Sequence, residues 1–238
     1  MMKNVRIGVL GGIGPEATSE FYSKFIRELQ RQGLIKSNTD FPQIIINSIP
    51  APELVYDDIP EEDLTMHIEG LRQLDALGVD FIVMVCNTIH LFYDKLQSQI
   101  KTPIINLRNE VKRILDYNMV KSIFILGTPS TVNKDLYKFE DKNCMIPNKE
   151  ELRELGKSIF EYNLGNRKEN QAEKVKNMCN KYIGQGKAEV IVLGCTEVAL
   201  MLEKEDFPKV NTIDVLVDAA VNRFIENRKN AGAAANAN

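Results

Sequence analysis

Four short apolar runs in this chain each stop at residues that turn or open a buried strand, and they come as two matched pairs. Val5 to Leu10 runs into Gly11-Gly12-Ile13-Gly14-Pro15, and Phe81 to Val85 delivers Cys86-Asn87-Thr88. The pattern then restarts. Ser122 to Leu126 runs into Gly127-Thr128-Pro129, and Val190 to Leu193 delivers Gly194-Cys195-Thr196-Glu197. Helical spacing follows each run, so strands alternate with helices, which implies mostly parallel sheets with right-handed crossovers. Leu10 lies 76 positions before Cys86 and Leu126 lies 69 before Cys195, a spacing that points to an internal duplication.

The expected fold is α/β, with two pseudo-symmetric lobes, each a mostly parallel sheet flanked by helices, and a cleft between them. The lobes are expected at residues 1–102 plus 214–229 and at 103–213, with 230–238 a low-complexity, disordered tail. Gln43 to Asn47 and Pro103 to Ile105 read as further strands of the first half. A short strand near Cys144 and another at Val210 to Ile213 read as those of the second. Helices are expected from Ile89 to Gln99, from after the Gly127–Thr131 turn to about Glu140, and from Val215 to Asn227.

Composition removes several classes of function. The 238 residues are 44% hydrophobic and 26% charged, an ordinary balance for a globular chain, and no run reaches membrane-spanning length. A net charge of −3 without any basic block argues against nucleic acid as a partner. Four cysteines (Cys86, Cys144, Cys179 and Cys195) are too few and too dispersed for a disulfide framework, and they form no C-x-x-C pair. With His67 and His90 the only histidines, no metal site is expected. The start carries no signal-peptide pattern, so the expected location is cytoplasmic, with reduced thiols.

Ligands of parallel α/β sheets bind beyond the carboxyl ends of the strands, so both Cys86 and Cys195 are expected at one cleft. Two thiols facing each other can remove a proton from carbon on one face and return one on the other, inverting the centre. Each cysteine precedes an expected helix, whose dipole favours a thiolate at either position. Asn87, Thr88 and Thr196, with helix-start N–H groups, are suited to hold a carboxylate and its developing charge. His90 either points back to Cys86 or packs at the helix start. Glu197 either orients a substrate ammonium group or complements the helix N-terminus. Cys144 and Cys179 read as core residues.

Three segments together resemble the aspartate/glutamate racemase superfamily, and within it the aspartate racemase branch. They are Gly8-Val-Leu-Gly-Gly-Ile-Gly-Pro-Glu-Ala-Thr18, Cys86-Asn-Thr-Ile-His90 and Gly194-Cys-Thr-Glu197, and the resemblance spans roughly residues 4 to 229. It implies a cofactor-independent amino-acid racemase, acting on a small-molecule substrate and forming a homodimer, with Cys86 and Cys195 as the paired base and acid. By the same resemblance Gly12, Asn87, Thr88, Thr128, Thr131 and Thr196 line the substrate site. One departure stands out. Aspartate-specific relatives carry an arginine in the loop after the second strand and a lysine in the second lobe. Here the loop has Glu53 at or near the arginine position, and Ile159 to Gly165 contains no lysine. Glu53 is therefore the candidate specificity residue, favouring a neutral or basic amino acid.

Three other readings compete. Isomerase or decarboxylase chemistry on small carboxylic acids belongs to the same superfamily, although decarboxylases typically lack one of the two cysteines. Gly12-x-Gly14-x-x-Ala17 is a weak dinucleotide fingerprint, but no acidic residue ends the second strand to hold a ribose. A non-catalytic small-anion binder would not need two matched thiols.

Overall fold

The computed structural model describes residues 5–50, 52, 54, 59–166 and 168–236. Two separate parallel sheets form. The first is built from β1 (Arg6–Gly11), β2 (Gln43–Ser48) and β3 (Phe81–Met84), in the order β2-β1-β3. The second is built from β4 (Ser122–Gly127), β5 (Asn143–Met145), β6 (Val190–Gly194) and β7 (Lys209–Asn211), in the order β5-β4-β6-β7. Every pairing is parallel. The central strands are buried along nearly their whole length, which is why they read as unbroken apolar runs rather than alternating ones.

The sheets repeat one plan. Ile104 pairs with Ile82 beside β3 just as β7 pairs with β6, so the first sheet has its own fourth edge. Residues 103–105 thus join the first sheet, as a strand of the first half, although the expected lobe boundary falls just before them. A helix then follows each edge: α4 (Leu107–Tyr117) after Ile104, and α9 (Thr212–Asn236) after β7.

These two helices each dock on the other half. From α4, Arg108 donates Nε to Leu136 O at 2.8 Å and Nη2 to Lys138 O at 2.9 Å. From α9, Arg228 donates to Leu34 O at 2.9 Å and to Asp40 Oδ1 at 3.1 Å. Along α1 (Pro15–Arg31), Lys24 bonds Asp214 of α9 at 2.5 Å and Glu203 at 2.6 Å, and both helices bury apolar faces: Phe21 and Phe25 against Leu216, Ala220 and Phe224. The exchange ties the lobes together.

The remaining helices are α2 (Thr65–Ala76), α3 (Tyr93–Gln97), α5 (Pro129–Asn133), α6 (Lys149–Asn163), α7 (Lys168–Gly184) and α8 (Thr196–Met201). Four departures from expectation have local causes. The helix α4 is a surface helix with only a narrow apolar stripe, Leu107, Val111 and Leu115, capped by Asn106 accepting from Asn109 N at 3.1 Å. The helix after Pro129 stops at Asn133 instead of near Glu140, because Asp135 adopts a left-handed φ of 56°. The segment after Cys86 begins as a 3-10 turn, Thr88–Phe92, before α3. Lastly, α9 carries its helical backbone to Asn236, through most of the stretch expected to be a disordered tail; its alanines are the strongest helix formers. Among the described residues no helix is long and apolar enough to cross a membrane.

Candidate active site

All four strand ends of the duplicated pattern meet at one cleft between the sheets. Its walls are Ile13 and Gly14 after β1, Cys86, Asn87 and Thr88 after β3, Thr128 after β4, and Cys195, Thr196 and Glu197 after β6; Leu54, Ile159 and Asn163 complete it. The cleft is narrow, with about 30 Å³ open to a water-sized sphere, enough for about two waters. Neither cysteine is in a disulfide, and both are nearly buried, Cys86 7% and Cys195 3% exposed.

The glycine turn is shaped by close approach. Gly12 has φ 86°, and a Cβ there would lie 2.3 Å from the Ile49 carbonyl oxygen, so it packs against the loop after β2 and does not line the cleft. Gly14 has φ 84°, and a Cβ there would lie 2.2 Å from Glu197 Oε1. The turn that begins α1 therefore faces a carboxylate from the other lobe. A pyrophosphate placed there would meet like charge, which argues against the dinucleotide reading.

Cys195 Sγ donates to Glu197 Oε2 at 3.0 Å, and Thr196 Oγ1 donates to the same oxygen at 3.0 Å. Burial, followed by the adjacent Glu197 charge and hydrogen bond, pushes the Cys195 thiol well above its ordinary range. The backbone N–H groups of Glu197 and Val198 pull the other way and lose. This corrects the expectation of a thiolate at position 195: removal from water beside a carboxylate outweighs a helix of six residues.

Three threonine hydroxyls join the lobes beside the cleft. Thr88 Oγ1 lies 3.0 Å from Thr128 Oγ1 and 3.1 Å from Thr131 Oγ1. Thr128 also caps α5 by accepting from Thr131 N at 3.1 Å. Thr131 thus supports the wall without lining it. His90 is turned away from the cleft. Its Nε2 lies 3.4 Å from Met84 O, its ring stacks on Tyr93 with centroids 6.4 Å apart, and burial lowers its pKa to about 4. Glu53 lies outside the described residues, as do Ala51 and residues 55–58.

Ile13, Gly14, Leu54, Ile159 and Asn163 were not singled out as site residues from sequence. Position on α6 is the signal for two of them: Ile159 and Asn163 are four apart, on one helix face. No lysine or arginine is among the described residues lining the cleft. Lys157 is exposed, and Lys168 is engaged by Glu16 and lies 4.7 Å over the Tyr162 ring. Nor do the described residues include a group of three metal-ligating side chains.

The sequence matches the Asp/Glu/hydantoin racemase family over residues 10–223. Among curated proteins, the broad-specificity amino-acid racemase RacX of Bacillus subtilis is 33% identical over 135 residues, 56% of this chain and 58% of that protein. The glutamate racemase of Aquifex pyrophilus is 28% identical over 138 residues, 54% of this chain and 50% of that one. The alignments thus span about half the length of these curated relatives. Solved structures agree in fold over the whole molecule. An aspartate racemase of Picrophilus torridus superposes with a TM-score of 0.75 at 21% identity, covering 96% of this chain and 95% of that one. An aspartate racemase homologue of Pyrococcus horikoshii gives 0.71 at 27% identity, covering 96% and 100%. With the family pattern spanning both lobes and both cysteines, this chain belongs to the Asp/Glu/hydantoin racemase family.

Proposed function

We propose that the protein is an amino-acid racemase that inverts the α-carbon with Cys86 and Cys195 as opposed base and acid, without a cofactor. The observation that carries this reading is the pair of cysteines, neither in a disulfide, on separate lobes, at matched strand ends, opening onto one cleft. In one direction the Cys86 thiolate removes the α-proton while the Cys195 Sγ–H, held by Glu197, delivers a proton to the opposite face. Cys86 then carries the proton and Cys195 the charge, and the reverse reaction starts from that state. Thr88 and the backbone N–H groups around the cleft supply donors for the α-carboxylate as negative charge spreads onto it, while the Thr128 and Thr196 hydroxyls, which donate to Thr131 and Glu197, shape the wall beside it.

The substrate is an amino acid with a neutral or basic side chain. A side-chain carboxylate would find no lysine or arginine among the described lining residues and would stand near Glu197. The sequence of the loop from Ser48 to Pro60 adds no cation and contributes Glu53, Asp57 and Asp58. Leu54, Ile13, Ile159 and Asn163 instead offer apolar surface and one neutral amide. The name of the Bacillus subtilis relative, a broad-specificity amino-acid racemase, accords with a substrate other than aspartate.

Proton-exchange NMR tests both parts: reduced protein in D₂O with L- and D-amino acids, no cofactor added. α-Deuteration with inversion of neutral or basic amino acids is expected. Preferred turnover of aspartate would reject the specificity assignment, and exchange with none of them would reject the racemase.

A further inference from the structure

The helix that stops early at Asn133 puts a tyrosine beneath the site. After the left-handed Asp135 the chain turns inward and buries Tyr137 completely. Its ring packs under Gly194, where a Cβ would come within 3.0 Å of Cε2, so the residue next to Cys195 rests on it. Its hydroxyl donates to Asn87 Oδ1 at 2.5 Å, beside Cys86. One side chain therefore touches the neighbours of both thiols.

The hydrogen bonds beyond it run in one direction. Thr212 Oγ1 donates its single proton to Leu193 O at 2.7 Å, so toward Asn87 it can only accept. Asn87 Nδ2 supplies that bond at 3.0 Å. With Oδ1 taken by the Tyr137 hydroxyl and Nδ2 on the Thr212 side, the amide cannot flip without breaking both bonds. Asn87 lines the cleft and is 1% exposed. Its carbonyl already accepts the short Tyr137 hydrogen bond, while Nδ2 retains a second N–H. A fixed N–H suits a carboxylate, whereas an ammonium group would need the oxygen.

We propose that Tyr137 is a positioning residue that locks the Asn87 amide with its free N–H available to the substrate carboxylate, a role that rests on the racemase reading. Burial holds the phenol protonated, so it stays a donor.

The test is a double-mutant cycle with an amide readout. Tyr137→Phe keeps the ring under Gly194 and removes the hydroxyl; kcat/KM should fall on the order of tenfold. Combined with Asn87→Ala, it should add nothing to the loss from Asn87→Ala alone, because the tyrosine acts through that amide. In side-chain ¹H–¹⁵N spectra the Asn87 NH₂ pair, assigned by its loss in Asn87→Ala, should exchange slowly in the native protein and faster in Tyr137→Phe. Thr212→Val, removing the other anchor, should produce the same change, and it serves alone if Tyr137→Phe does not fold. Losses that multiply in the cycle, or an amide pair unmoved by either substitution, would overturn the proposal. The expected amide changes in a protein that turns over no amino acid would leave the lock standing and reject the racemase.

Discussion

Cys86 and Cys195 hold equivalent places in the two sheets, yet their surroundings differ. Cys86 belongs to the smaller apolar cluster, with Leu10, Ile82, Met84 and Ile89, and a 3-10 turn follows it. Cys195 belongs to the larger core, starts an α-helix in extended conformation (φ −146°, ψ 139°), and donates a hydrogen bond to a buried carboxylate. The duplication has supplied matched positions for two thiols, and the side chain two residues on has made them unequal. Position 197 is glutamate in the second half; the corresponding place after Cys86 is Thr88, a neutral hydroxyl bonded to Thr128 and Thr131. Under the proposed two-base reading one thiol carries its proton at rest, and this asymmetry would make Cys195 that acid.

Several changes would break or sharpen the contrast. Gly14→Ala should have the largest effect. It forces an L residue to φ 84° and drives a methyl into Glu197 Oε1, so the Cys195 bond is lost with the turn. Activity should fall by at least a hundredfold, and calorimetry should show destabilisation of about 1–3 kcal/mol.

Glu197→Gln keeps an acceptor for Cys195 but removes the charge that raises it. Peptide-resolved alkylation should then find Cys195 on the order of tenfold more reactive at pH 7.5, with Cys86 little changed. Equal reactivity of Cys195 in both proteins would show that burial alone holds the proton.

The same shift has a signature in stability. A thiol raised on folding is neutral in the native state and ionises more readily in the unfolded chain. Its contribution is fully present below about pH 8.5 and is lost as pH climbs through the native value. Chemical denaturation should therefore show stability declining above about pH 8.5, less steeply in Cys195→Ala.

His90→Phe should have the smallest effect. The imidazole has one buried nitrogen, Nδ1, without a hydrogen-bond partner, and it is neutral above about pH 4. The pH–rate profile between 5 and 8 should not move, and stability should change by no more than about 1 kcal/mol. A displaced acidic limb would return His90 to the chemistry.

The sequence displayed the parts of this molecule whose physics is local. Val5 to Leu10 and Ser122 to Leu126 are apolar throughout because both faces of each strand are covered, and Ile13, Gly14 and Thr128 just beyond them line the cleft. What depended on contacts across the chain was not visible. The Tyr137 hydroxyl meets Asn87 fifty positions away, and nothing around Tyr137 marks it. The thiolate expected at Cys195 followed from a helix start, whereas its environment follows from burial under the other lobe. The narrow stripe of α4 hid a helix that locks the halves together.

In the proposed mechanism two thiols work on opposite faces of one carbon. The direct test is α-proton exchange in D₂O with Cys195→Ser, following each enantiomer of the best substrate separately. Cys86 should still exchange the α-proton of one enantiomer without inverting it, and exchange of the other enantiomer should collapse with racemisation. Racemisation continuing within about tenfold of the native rate would contradict the account, since a serine hydroxyl cannot replace the thiol in both directions.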